Sequence, residues 1–247
     1  ITSGLVGSEM CIRDRSSPFG VVSSFLIGIS HSAVFSLIAV YATSMNFSIL
    51  EVSIVTFLFA ISGAISQWPI GKLSDVLDRR IVIIYTTFGA ALFCFLAIIS
   101  SGQMYMPAGL ATSKLFFYIC IMCFSFCSLP MFALIFAHTN DFIPKEKFVA
   151  AGAGLQFVFG LGAICGPFMC SLFMEFLGEN GFFIFLIIFH SFIGLFGIYR
   201  MQIRESGDNP DSQFAPMPQT ITPAGIELNP STEPIDEPNN LNEFKKI

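Results

Sequence analysis

The chain has 247 residues, 54% of them hydrophobic and only 12% charged, with 30 phenylalanines and a formal net charge of −5. A soluble domain carries about 25% charged residues, so this composition excludes one small soluble core and points to an integral membrane protein. Much of the acid lies in the last forty-odd residues, so the net charge describes a tail rather than a substrate, and no nucleic-acid partner is expected.

The first stretch, residues 1–15 (ITSGLVGSEMCIRDR), has a charged end and no apolar run, so it does not read as a signal peptide. Leu5 to Asp14 resembles the translation of the transposase adapter used in preparing DNA sequencing libraries. Residues 1–15 are therefore read as foreign to the protein and are given no weight in fold or function. On that reading the open reading frame is cut, and the rest is the C-terminal piece of a longer protein.

Six apolar blocks follow, at about 18–41, 50–69, 81–100, 115–138, 149–174 and 181–199. Each has the roughly 20 residues that a membrane helix needs. They are long and continuous and lack the short alternation of a membrane barrel. The expected fold class is an all-α membrane protein, with a six-transmembrane-helix bundle over 16–200. The tail at 201–247 is rich in Pro, Asn, Ser, Asp and Glu, so it is expected to be disordered and solvated. Lys72, Arg79, Arg80, Lys145, Lys147, Arg200 and Arg204 fall on one side of these blocks, and Lys114 falls on the other. The positive-inside rule puts the basic side and both ends of the chain in the cytoplasm. Trp68 then sits at a membrane interface, and the basic stretch QWPIGKLSDVLDRR (67–80) is a cytoplasmic turn between the second and third blocks.

Polar groups inside spans tend to face a bundle interior or a water-filled cavity. Ser24, Gly28 and His31 lie on one face of the first helix, Ser125 and Ser128 share a face of the fourth just before Pro130, and Gln156 lies on a face of the fifth. These six are the candidates for a substrate path. His190, among phenylalanines in the last block, reads as packing or interfacial, and the last helix, with Phe185 and Phe189, is expected to face lipid. Gly162, Gly166 and Pro167 combine a small-xxx-small spacing with a proline, which suits close helix packing and a kink. Cys120, Cys123 and Cys127 share one helical face inside a span and read as packing rather than a metal site, so no metal or cofactor is expected. A Walker loop is excluded because Gly71-Lys72 is followed by Leu73.

Gly71, Asp75, Arg79 and Arg80 carry a different signal. Gly71 permits a tight turn at a helix end, Asp75 can meet a helix N-terminus, and the arginines can pair with acids or lipid phosphate. Together they form a latch able to hold one conformation closed. The run from Gly71 to Arg80 resembles the loop signature G-x-L-[AS]-D-x-x-x-R-[RK] of the major facilitator superfamily, with Asp78 where the first-half copy usually has glycine. The longer QWPIGKLSDVLDRR, and AHTNDFIPKEKFVAAGAGLQFVFGLGAICGP from Ala137, look like the second-half copy and the later helix join of the YcaD-like branch. The resemblance implies helices seven to twelve of a twelve-helix secondary transporter. It also implies an absent N-terminal six-helix half as partner, an unknown small-molecule substrate, and a path flanked by blocks one, four and five. Any proton-coupling carboxylate is then expected in the other half, with His31 at most a helper. The competing reading is a complete six-helix membrane protein of another class, a channel, membrane enzyme or scaffold subunit.

Overall fold

The computed structural model describes residues 17–100, 114–203 and Phe214. The described residues form α1 (Pro18–Ser44), α2 (Ile49–Val76), α3 (Arg79–Ser100), α4 (Lys114–Ser128), α5 (Met131–Asn140), a 3-10 turn at Lys145–Lys147, α6 (Phe148–Leu177) and α7 (Asn180–Ile203). With α4 and α5 taken as one interrupted span, six segments are long and apolar enough to cross a membrane. The adapter-like segment at 1–15 and, apart from 201–203 and Phe214, the tail lie outside the described residues.

Local chemistry sets the helix ends. Ser17 caps α1 by accepting the Gly20 N–H at 3.2 Å, and Pro18 follows at the first helical position, where a missing N–H costs nothing. Asn46, in a left-handed conformation at φ 60°, turns the chain after α1. Ser48 and Glu51 then form a reciprocal capping box that starts α2. Glu51 also pairs with Lys114 and so ties the start of α2 to the start of α4.

Two helix boundaries differ from expectation. The second block does not stop at Pro69: α2 runs through it to Val76, as membrane helices can when neighbours meet the freed carbonyl. Gly71 is therefore inside a helix rather than at a turn, and only Leu77 and Asp78 separate α2 from α3. The fourth block, expected as one helix, is broken at Leu129–Pro130, where proline removes a donor from the ladder.

The most extensive packing is α1 against α6, followed by α3 against α7, α3 against α4 and α2 against α4. One end of the core is aromatic: Tyr41 stacks on Phe117 and Phe182 and meets Phe183 edge-on, with centroids 6.0, 5.2 and 4.9 Å away. α7 does not stand against lipid as expected. It packs on α3 and α1, and Phe185 and Phe189 point inward and are buried. Its many phenylalanines hid the inward face, because an all-apolar helix shows no polar side from which to read orientation. α2 and α6 are the least covered spans.

Candidate functional site

At the basic end of the bundle, the α2–α3 turn is built from ion pairs. Arg79 is buried, with 7% of its surface exposed. Its Nη1 donates to the Ala137 carbonyl at 2.8 Å and to Asp141 Oδ1 at 2.7 Å, while Nη2 donates to Asp75 Oδ1 at 3.1 Å. One guanidinium thus joins the end of α2, the start of α3 and the end of α5, its planar fork presenting donors to all three acceptors at once. Arg80 pairs with Asp78, Nη2 to Oδ2 at 2.7 Å, and the Asp78 carboxylate also accepts the Arg80 backbone N–H at 2.9 Å. Asp78 therefore caps the start of α3. Burial works against its ionisation, but the Arg80 hydrogen bonds outweigh it, and its carboxyl sits below the ordinary aspartate value. Asp75 further accepts the Phe214 backbone N–H at 2.9 Å. The Phe214 ring lies over Gly71 in the space where a Cβ would stand. Gly71 thus provides room for a ring rather than a turn. Beside this cluster, Trp68 is exposed with the Lys72 ammonium 4.1 Å over its ring, a cation–π contact suited to an interface.

At the middle of the spans lies a second polar group. His31 stands at the centre of α1, Ser128 at the break between α4 and α5, and His190 near the centre of α7; all three are buried. His31 Nε2 is 3.1 Å from both the carbonyl and the Oγ of Ser128. Ser128 Oγ is 2.9 Å from His190 Nε2, and His190 Nδ1 is 2.9 Å from the Leu186 carbonyl and 3.3 Å from Ser30 Oγ. A carbonyl only accepts, so these contacts fix both tautomers. His190 carries its proton on Nδ1 and gives it to Leu186, which leaves Nε2 to accept from Ser128. His31 carries its proton on Nε2 and gives it to Ser128. Donation therefore runs one way, from His31 through Ser128 to His190, and two neutral imidazoles suit these five contacts. Pro130 makes this arrangement available, because the helix break leaves the Ser128 carbonyl open to His31.

The other predicted path residues are distributed around this group. Ser24 Oγ donates to the Leu155 carbonyl of α6 at 2.9 Å, and Ser125 Oγ donates to the Phe59 carbonyl of α2. Gln156 is half-buried on α6. Gly28 lies at a backbone contact: a Cβ there would stand 2.2 Å from the Phe159 carbonyl oxygen. Gly162 and Gly166 complete the same crossing, where added Cβ atoms would stand 2.2 Å from the Phe25 and Ile29 oxygens. Small residues at this spacing let α1 and α6 touch along their backbones, and α6 continues through Pro167 without interruption.

His190 was missed as a site residue. It is not interfacial, and beyond packing on Phe124 it terminates the Ser128 chain. The signal was present in the sequence: an ionisable residue at the centre of a span, the same argument that selected His31. Ser30, next to His31 and one face away, was missed although Ser23, seven residues earlier on the same face and also buried, gave the same spacing that linked Ser24 to His31.

The comparisons with known proteins agree with this architecture. The Major Facilitator Superfamily pattern matches residues 20–234. An uncharacterized MFS-type transporter of Yersinia enterocolitica, YE1530, is 24% identical over 204 residues, covering 83% of this chain and 48% of the relative. MFS-type transporters of Enterobacter sp. strain 638 (Ent638_1421) and of Bacillus subtilis (YfkF) are 24% and 27% identical, covering 81% and 67% of this chain and 47% and 39% of theirs. The chain thus spans about half the length, or less, of these relatives. A match over most of the chain, on six apolar spans of which the second and third are joined by an ion-paired Gly71–Arg80 segment, makes this multi-pass membrane protein a member of the major facilitator superfamily, a family of membrane transporters.

Proposed function

We propose that the chain is the C-terminal half, helices seven to twelve, of a secondary active transporter of the YcaD-like branch. It moves a small solute across the cytoplasmic membrane by alternating access, with both ends of this half in the cytoplasm. The observation that carries the reading is the buried His31–Ser128–His190 chain at mid-depth in a six-span bundle of this superfamily. Polar groups at that depth are costly and mark function, and transporters place their sites near the midplane. The N-terminal half would cover the open sides of α2 and α6, the least buried spans. In such a pair Asp75, Arg79 and Arg80 would act as the latch between halves. Ser24, Gln156, Ser125 and the two histidines would border the path when it opens. The coupling carboxylate is assigned to the other half, and membrane lipid is the remaining partner. No observation favours a channel, a membrane enzyme or a scaffold subunit.

The test uses the full-length protein in liposomes. Solutes that raise its thermal stability are offered as labelled substrates, with an ion gradient as the only energy source. Gradient-dependent, saturable accumulation is expected. Solute-independent ion current at channel rates in a planar bilayer would overturn the reading.

A further inference from the structure

Phe214 is one of two aromatic residues in the polar tail at 201–247, yet its ring lies against the bundle. It packs on the cluster formed by Ala133 and Phe136 of α5 and Leu155 of α6, with Val149 beside it. It also covers Gly71 of α2. The three atoms nearest to an added Cβ at Gly71 are all in this ring, and all stand closer than 3.0 Å, so any larger residue there would displace it. The tail makes a polar contact as well. The Phe214 backbone N–H donates to Asp75 Oδ1 at 2.9 Å, the same oxygen that accepts from Arg79 Nη2. Helices α2, α5 and α6 thus form a socket with an apolar part and one charged acceptor, and Phe214 engages both.

We infer that this socket is a binding site for the chain's own tail, and that Phe214, when seated, withholds Asp75 from the N-terminal half and keeps the latch from closing. The inference rests on the proposed pairing with that half. Its first support is chemical. A carboxylate that can meet a helix N-terminus takes backbone N–H donors. The Phe214 N–H is a donor of that kind, so the tail supplies the contact that Asp75 would otherwise draw from a helix end of the other half. The second support is position. The socket lies across α2 and α6, the two least covered spans, so the ring stands on ground that a second half would need. The contact is also reversible. The ring is only half-buried and the Asp75 side chain is 38% exposed. Partial burial of one phenyl ring shifts a two-state population about tenfold, which biases the latch without locking it.

Two readouts on the full-length protein test it. In the first, Gly154→Cys carries a reporter thiol. Gly154 is exposed on α6 beside Leu155, and nothing lies within 4 Å of an added Cβ. The native cysteines are replaced, because Cys165 on the same helix is exposed and would react too. Labelling by a water-soluble maleimide in detergent, without solute or gradient, reports whether the other half has closed over α6. Phe214→Ala should slow labelling about tenfold. Gly71→Ala, which displaces the ring, should slow it to a similar extent, and the two changes together should do no more than either alone. The second readout is gradient-driven solute accumulation in liposomes, which Phe214→Ala should speed up. Unchanged or faster labelling in Phe214→Ala, additive effects of Phe214→Ala and Gly71→Ala, or slower accumulation by Phe214→Ala than by an active wild type would each overturn the inference. Slowed labelling with no accumulation by any form would support the tail's competition for the socket and count against the transporter reading instead.

Discussion

Replacing Ser128 by alanine tests the mid-membrane chain most directly. The substitution removes the hydroxyl that accepts from His31 Nε2 at 3.1 Å and donates to His190 Nε2 at 2.9 Å. His31 keeps the Ser128 carbonyl at 3.1 Å, so its loss is partial. His190 Nε2 loses its donor in a fully buried position. Interhelical hydrogen bonds in membranes average about 0.6 kcal/mol, so two of them give about 1 kcal/mol. A buried acceptor left unsatisfied adds about 1 kcal/mol at the low end of its range. Ser128→Ala should therefore cost about 2 kcal/mol by these rules. In a His190→Leu background the orphaned nitrogen no longer exists, and the same change should cost only the His31 bond, about 0.6 kcal/mol. The measurement is reversible unfolding of the full-length protein in mixed micelles, run as a double-mutant cycle. A coupling of about 1.4 kcal/mol between Ser128 and His190 is expected from this difference. Additivity within about 0.3–0.5 kcal/mol would refute the one-way chain and reduce the two residues to independent packing.

Gly162→Leu should destabilise by about 1–3 kcal/mol through forced separation of α1 and α6, whereas Gly160→Ala, with nothing within 4 Å of the new Cβ, should not destabilise when assayed the same way. Asp75→Asn is expected to lower transport more than folded yield, since the carboxylate holds Arg79 and the Phe214 amide; transport counts and size-exclusion recovery on one preparation separate the two effects. Asp78 has a depressed folded value, so its contribution is full above the unfolded aspartate value of 3.8 and is lost as pH falls through the lower, folded one. The stability gap between wild type and Asp78→Asn should accordingly be flat near neutrality and close only in acid, as read by unfolding at several pH values. Single cysteines at Thr43 or Gly178 should react with an impermeant reagent added from outside cells, and one at Val76, exposed at the opposite end, should not; the reverse pattern would invert the proposed orientation.

The six spans were legible because hydrophobic length is a property of the sequence alone, and the crossing at Gly162 and Gly166 was legible because small residues four apart announce close approach. The end of α2 was not legible: Pro69 reads as a terminator in water, but in a membrane span the surrounding helices decide whether the chain continues. Gly71 was misread for a related reason. Its role is set by Phe214, far away in sequence, lying over it. Arg79 could be seen as a pairing residue, but its partner Asp141 could not, because only the packing of α3 on the end of α5 brings them together. The inward face of α7 and the part played by His190 depend in the same way on which neighbours cover a uniformly apolar helix.

The contact between α1 and α6 has an evolutionary consequence. At Gly28 and Gly162 the atom nearest the absent side chain is a backbone carbonyl oxygen, and at Gly166 one stands as close as Ser32 Oγ does; every amino acid carries that carbonyl. In an ordinary core contact, a larger residue on one helix can be offset by a smaller one on the other. Here the backbone oxygen cannot shrink, and even at Gly166, where Ser32 could be replaced by a smaller residue, the Ile29 oxygen remains, so no second substitution can restore the fit. These positions should therefore vary independently of the residues they face, and co-variation between α1 and α6 should come only from side-chain pairs beside the crossing. The two helices then form one unit whose internal spacing cannot be tuned in small steps. Mutational drift in this half must act through other interfaces, where side chains meet side chains.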